Sequence, residues 1–153
     1  MDAISDFEDL LNLLDAYEVR YLIVGGLAFI YHAKPRFTKD MDLWIEGSNS
    51  NITAANQALA EFGSPALMDH NKPDQIVQLG LPPNRIDLLV EVGALSFEEA
   101  WARRIEGTYG RAPAYWIDLD SLEKIKSAID DPRHQDDARI LREVRAMKRR
   151  ESE

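Results

Sequence analysis

Short apolar runs that alternate with helical patterns constrain the fold of this chain more than any other feature. Residues 20–24 and 40–46 have the length and the β-branched or aromatic content of buried strands. Residues 4–17 instead repeat apolar side chains at helical spacing. Residues 75–81 and 85–92 are two more strand-like runs joined by a proline-containing turn, which indicates a hairpin. Together these patterns predict an α/β (α+β) fold in which helices flank a mixed β-sheet.

The remaining elements follow from the same periodicities. Further helices are predicted at 27–33, 52–62, about 96–104, 121–129 and 136–149, and a short strand at 114–117. Residues 130–135, DDPRHQ, are expected to break the helical pattern. With 153 residues, we expect a single domain over 1–153 that ends in a basic helix.

Composition narrows the classes of function. The chain has no cysteine, which excludes disulfides and thiolate metal sites, and no apolar run approaches the length of a membrane span. Its net charge of −9 makes it a poor nonspecific binder of nucleic acid. The acidic N-terminus lacks the layout of a signal peptide. We therefore expect a cytoplasmic protein without a membrane partner.

Two aspartates interrupt an apolar strand. Asp40 and Asp42 are two residues apart, so their side chains point to the same face of the strand. Buried carboxylates side by side repel each other, and Mg²⁺ with its preference for oxygen ligands relieves that cost. Asp87 is a third aspartate inside an apolar strand, and three carboxylates can hold two metal ions. The alternatives are an exposed edge strand for the first two and an ion pair with Arg85 for Asp87.

A glycine pair follows the first strand. A strand, Gly25-Gly26 and then a helix can present backbone N–H groups to an anion, and glycine lets a phosphate approach closely. The pair lacks the third glycine of a dinucleotide-binding loop and the Lys-Ser/Thr of a P-loop. A purely structural role in a tight turn is the alternative.

These motifs together resemble a known family. A glycine pair, thirteen residues, D-x-D and a later aspartate in an apolar strand resemble the minimal nucleotidyltransferases of the DNA polymerase β-like superfamily. The stretch RFTKDMD resembles the R-x-T-x-D-x-D form of the branch that includes abortive-infection toxin–antitoxin nucleotidyltransferases. The segment LEKIKSAIDDPRHQDDARIL is similar to that branch's lysine, arginine and aspartate pattern. The resemblance covers about residues 20–142.

The resemblance implies a nucleotidyltransferase-like fold and a set of site residues. Gly25 and Gly26 would hold the triphosphate of an NTP. Asp40 and Asp42 would bind Mg²⁺, with two ions expected and Mn²⁺ as a substitute. Asp87 would complete the second metal site and help to activate the acceptor hydroxyl.

The resemblance also implies contacts to the phosphates. Arg36, Thr38 and Lys39 precede the metal strand and would touch the nucleotide, and Lys126 would neutralise charge on the triphosphate. Solvated loop charges and a surface lysine are the plain alternatives. Asp136 is as well explained by a favourable position at a helix N-terminus as by a place in the site.

The implied reaction transfers an NMP from an NTP to a hydroxyl of a macromolecular acceptor, a tRNA or a partner protein. The setting it implies is a toxin–antitoxin system with a cognate antitoxin as partner. The alternative is a noncatalytic nucleotide-binding or antitoxin module on the same fold.

Overall fold

The protein folds around a mixed, six-stranded sheet. The computed structural model describes residues 3–38, 40–81, 84–93 and 95–152. The strands are β1 (Tyr21–Val24), β2 (Asp40–Ile45), β3 (Val77–Leu79), β4 (Arg85–Leu89), β5 (Ile105–Tyr109) and β6 (Ala112–Trp116). The helices are α1 (Ala3–Ala16), α2 (Gly25–His32), α3 (Asn49–Phe62), α4 (Phe97–Ala102), α5 (Leu119–Ser127) and α6 (Pro132–Glu151). The predicted class, a mixed sheet flanked by helices, is confirmed.

The strand order places β2 in the interior of the sheet. The strands lie in the order β3-β4-β2-β1-β6-β5. β2 pairs antiparallel with β1 and parallel with β4, while β3 and β4 form the predicted antiparallel hairpin. Because β2 has a neighbour on each side, the alternative of an exposed edge strand for its two aspartates is wrong.

The helices pack in two groups. α1 packs against α3 and β6, whereas α2 contacts β1, β2, α5 and α6. The core includes the fully buried side chains of Leu10, Phe29, Trp44 and Leu59. Within the described residues, no helix is both long enough and apolar enough to span a bilayer.

The last helix begins earlier than predicted. Residues 132–135 were expected to break the helical pattern, but α6 starts at Pro132. Proline at the first helical position loses no intrahelical hydrogen bond, and Asp131 caps the helix by accepting a hydrogen bond from the backbone N–H of His134. The predicted basic C-terminal helix is present, with Lys148, Arg149 and Arg150 in its last turn.

Other elements differ from the predictions as well; strands β3 and β4, for example, are shorter than the predicted 75–81 and 85–92. β5 was not predicted, since its sequence IEGTY has few apolar residues, but it pairs with β6 along its whole length. α3 starts three residues before position 52, because the Ser48 side chain caps it by accepting from the N–H of Asn51. α2 starts at Gly25 itself rather than at position 27. The glycine turn is therefore the first turn of a helix.

Candidate functional site

Four charged side chains share one face of the sheet where β2 and β4 run in parallel. The register sets Asp40 opposite Arg85 and Asp42 opposite Asp87. Since residues two apart in a strand point the same way, the four side chains form the corners of a rectangle. The pairing of β2 with β4 brings the three aspartates onto one face.

Arg85 forms ion pairs with two of the three aspartates. Its Nη2 donates to Oδ2 of Asp40 at 2.8 Å, and its Nε lies 3.1 Å from Oδ1 of Asp87. The second contact is an ion pair and not a hydrogen bond, since both of its atoms are buried without a hydrogen-bond partner. Oδ1 of Asp40 is buried and unpartnered as well. Asp87 therefore forms an ion pair with Arg85, as the alternative predicted, and Arg85 forms a second ion pair with Asp40.

Asp42 is the carboxylate that no arginine reaches in this cluster. Burial, and then the charges of Asp87 and Asp40, raise the pKa of Asp42 to about 6. Burial also raises the pKa of Asp87, against the opposing effect of Arg85. The rectangle therefore carries more negative charge than its single guanidinium neutralises.

The raised pKa predicts how Asp42 affects stability. Between its ordinary pKa of 3.8 and about 6, the folded protein keeps a proton that the unfolded chain releases, so stability falls as pH rises through this window. In EDTA, we expect Asp42→Asn to raise the free energy of unfolding by about 2 kcal/mol at about pH 7.5 and by little near pH 4. Urea unfolding at the two pH values measures this. An equal gain at both would contradict the assignment.

The glycine turn packs directly against Asp42. Gly25 has a φ of +66°, and a Cβ there would lie 2.9 Å from Cγ of Asp42 and closer still to Oδ2. A Cβ on Gly26 would lie 2.6 Å from Oγ1 of Thr38. The first-turn N–H groups of a helix have no intrahelical acceptor, and no side chain at the N-cap accepts from those of α2. Glycine is therefore required at both positions, because Asp42 and Thr38 lie where a Cβ would be. The Asp42 carboxylate lies at the N-terminus of α2.

A cavity of about 500 Å³ opens beside Asp42. This is within the usual size of small-ligand pockets. Its wall is mostly apolar and comes from the sheet, the segment after β4 and helix α5. Residues that line it include Val24, Gly25, Leu89, Val92, Ile125 and Ile129, with Asp42, Lys124, Lys126 and His134 as the charged or titratable groups.

Lys126 reaches this cavity from a buried ion-pair cluster. Its Nζ donates to Oδ2 of Asp137 at 3.0 Å and lies 3.3 Å from Nδ1 of His134. Oδ1 of Asp137 accepts from Nη1 of Arg36 at 2.7 Å. Burial alone would raise the pKa of Asp137, but the hydrogen bonds from Arg36 and Lys126 hold it below its ordinary value. Lys126 is only 3% exposed, so the alternative of a surface lysine is wrong.

The structure brings most of the predicted site together. Gly25, Asp42 and Lys126 line the same cavity. Asp87 lies beside Asp42 across the strand pair, and Asp40 lies one step further along the same face. The positive charge of Lys126 is also close enough to oppose the rise in the Asp42 pKa.

The other predicted phosphate contacts are placed differently. Gly26 and Thr38 pack against each other and do not line the cavity. Arg36 points to Asp137 and also lies outside the lining. Lys39 lies outside the described residues. Arg36 and Thr38 therefore connect the loop before β2 to Asp137 and to Gly26, and neither lines the cavity.

Sequence reasoning did not assign His134 or Asp137 to the surroundings of Lys126, and it assigned Arg85 only part of its role beside the aspartates. His134 lies in the segment predicted to break the helix, so its place in the first turn of α6 was hidden. Asp137, and not Asp136, pairs with Lys126, whereas Asp136 is exposed and pairs with Arg139. Arg85 was considered only as a partner of Asp87. A helix beginning at Pro132 would have been the signal for the first two, because it sets which aspartate faces α5.

The carboxylate oxygens of Asp40, Asp42 and Asp87 suit a hard divalent cation, but their arrangement is not a preformed metal site. Within 3–38, 40–81, 84–93 and 95–152, no group of three or more acidic, His or Cys side chains could hold a metal ion as placed. The guanidinium of Arg85 lies between Asp40 and Asp87. Yet carboxylate oxygens are the ligands that Mg²⁺ prefers, and one oxygen each of Asp40 and Asp87 is buried without a hydrogen-bond partner.

Neither the protein-family models nor the curated protein sequences contain a match to this chain.

Proposed function

We propose that this protein is a Mg²⁺-dependent nucleotidyltransferase that moves an NMP from an NTP to a hydroxyl of a macromolecular acceptor. One observation supports this most strongly. Three aspartates on two adjacent strands share a sheet face, and one of them, Asp42, packs against the N-terminus of a helix at a cavity of about 500 Å³. Excess carboxylate, a helix N-terminus and a buried lysine together suit a polyphosphate with its cation.

The residues have distinct roles in the proposed reaction. The acceptor oxygen forms a bond to the α-phosphorus while the bond from that phosphorus to the bridging oxygen breaks, and pyrophosphate leaves. Asp87 takes the proton of the acceptor hydroxyl. The first-turn N–H groups of α2, which begins at Gly25, bind the triphosphate. Lys126, held in place by Asp137, stabilises the negative charge that develops on the leaving group.

Asp40, Asp42 and Asp87 would hold the cation, Mg²⁺ or Mn²⁺, with two ions expected. The cation would polarise the phosphoryl oxygens and stabilise the entering and leaving oxygens. The apolar cavity wall would exclude water around the base and the α-phosphate, which strengthens each of these charge interactions.

The acceptor we propose is a tRNA or a partner protein, and the setting a cytoplasmic toxin–antitoxin system with a cognate antitoxin. Both rest on the resemblance of RFTKDMD and of the lysine–arginine–aspartate segment to that branch of nucleotidyltransferases.

Transfer of labelled nucleotide tests the proposal. The protein is incubated with each α-³²P-labelled NTP, Mg²⁺ or Mn²⁺, total tRNA and a cell lysate, and RNA and protein are resolved on gels. We expect label in one class of acceptor with at least one NTP. A γ-³²P-labelled NTP should leave the acceptor unlabelled, because the γ-phosphate departs in pyrophosphate. Label from the γ position would instead identify a phosphotransferase.

Two aspartate variants control the experiment. Asp42→Asn should abolish labelling, and its folding is not at risk because its stability is expected to rise near neutral pH. Asp136→Asn removes an exposed carboxylate outside the site and should keep full activity. Absence of label with all four nucleotides and both metals would show that the protein does not catalyse the transfer.

A noncatalytic nucleotide-binding or antitoxin module is the second candidate. The ion pairs of Arg85 favour it, because one guanidinium contacts two of the carboxylates and offsets part of their charge without a metal. Thermal melting with each MgNTP separates the two readings. A rise in Tm without transfer would support a nucleotide-binding module, and no rise with any nucleotide would leave the antitoxin module as the candidate.

A further inference from the structure

Arg85 stands where the proposed function requires a cation. Its side chain starts from β4 directly opposite Asp40, two residues before Asp87 and on the same sheet face. One guanidinium therefore contacts two of the three carboxylates assigned to the divalent ion. The positive charge is where an ion bound by those carboxylates would need to be.

The guanidinium offsets part of the charge of Asp40 and Asp87 but does not fill the hydrogen-bonding capacity of their oxygens. An arginine can donate two parallel hydrogen bonds to one carboxylate. Among the described residues, the Arg85 guanidinium makes one hydrogen bond, at 2.8 Å, to Asp40. Its Nε and the facing Oδ1 of Asp87 are 3.1 Å apart, and both lack a hydrogen-bond partner. Oδ1 of Asp40 also lacks one. The carboxylates therefore retain unused acceptor capacity in this state.

We propose that Arg85 is a displaceable cation that holds Asp40 and Asp87 together in the metal-free protein and sets the affinity of the site for its divalent ion. This inference rests on the proposed function. The ion binds only when the guanidinium releases the two carboxylates, so the free energy of these contacts is subtracted from that of ion binding. Arg85 is a positioning residue, because it acts through the aspartates.

Two features allow Arg85 to leave without unfolding the sheet. Its side chain is 31% exposed, so the guanidinium can turn into water. Its backbone stays in the β2–β4 ladder, where Asp40 and Arg85 are paired. The movement therefore requires only side-chain rotation, and the aspartates remain at the same register.

Calorimetric titration with Mn²⁺ alone tests this on the full chain, with no turnover involved. Arg85→Gln should bind Mn²⁺ about tenfold more tightly than the wild type, since a hydrogen bond to a charged group is no longer broken. The same variant should unfold at a lower temperature in EDTA, because its carboxylates lose their counter-charge. Arg139→Gln removes an equal charge from an exposed pair with Asp136 and should leave the Mn²⁺ affinity within about twofold.

Arg85→Lys keeps the measurement decisive if Arg85→Gln does not fold. Lysine keeps the charge but can reach only one carboxylate well, so Mn²⁺ should bind about threefold more tightly than to the wild type. Equal or weaker binding by the folded Arg85 variants overturns the inference and leaves the proposed function intact. Absence of Mn²⁺ binding in every protein, with or without NTP, overturns both.

Discussion

Gly25→Ala is expected to destabilise the protein by at least about 3 kcal/mol, because two costs coincide at this position. The φ of +66° disfavours any side chain, and the new Cβ would overlap the carboxylate of Asp42. The strand and the helix are both packed, so neither moves away freely: Val24 and Asp42 are paired in the sheet, and α2 starts at the next residue. Urea unfolding measures the loss.

A second glycine separates the two costs. Gly63 has a φ of +92°, and a Cβ there would meet nothing within 4 Å, so Gly63→Ala carries only the backbone cost of about 1 kcal/mol. Near pH 4, where the folded protein keeps Asp42 protonated and its removal relieves no charge repulsion, adding Asp42→Ala to Gly25→Ala should return about 2 kcal/mol through relief of the overlap. If Gly25→Ala costs no more than Gly63→Ala, the close packing of Asp42 on the glycine turn is wrong.

The Gly25–Asp42 contact shows why the glycine motif and the D-x-D motif occur together. A phosphate-binding turn needs glycine for close approach of its ligand. Here the same glycine is needed for close approach of a carboxylate from the neighbouring strand. The contact therefore fixes Asp42 beside the N-terminus of α2, where a triphosphate and its cation would have to meet in the proposed function.

The part of the site that could be predicted from sequence depends on strand geometry. Alternation in DMDLWI puts Asp40 and Asp42 on one face, and Asp87 is the odd residue in another apolar run. Charges inside buried strands are costly enough to stand out in a single sequence. The mixed sheet was also predictable, because five of its six strands lie in short apolar runs of the sequence.

The part that could not be predicted depends on contacts between distant elements. Arg85 faces Asp40 only because β2 and β4 are parallel at one particular register, which the sequence does not state. Strand β5 is half-exposed and has too little apolar content to be recognised without β6 beside it. The choice between Asp136 and Asp137 depended on where α6 begins, and a start at Pro132 turns Asp137 towards α5.

Asp137→Ala is expected to cost about 4 kcal/mol of stability, because it leaves the buried ammonium of Lys126 without its carboxylate. Asp137 joins the loop before β2 to helices α5 and α6, since it accepts hydrogen bonds from both Arg36 and Lys126. Arg36 is 29% exposed and can turn to water, whereas the side chain of Lys126 is 4% exposed. Among the described residues, the other side chain within hydrogen-bonding distance of its Nζ is His134. Urea unfolding near neutral pH measures the loss.

The neighbouring residue provides the matched control. Asp136→Ala removes the same group one position earlier, but its partner Arg139 is exposed, so we expect a change within about 0.5 kcal/mol. The double variant Lys126→Met/Asp137→Leu should recover most of the loss, because it removes both buried charges and keeps similar volume. Equal effects of Asp136→Ala and Asp137→Ala would mean that Lys126 is not held by a buried ion pair. It would then lack the fixed position that stabilising a leaving pyrophosphate requires.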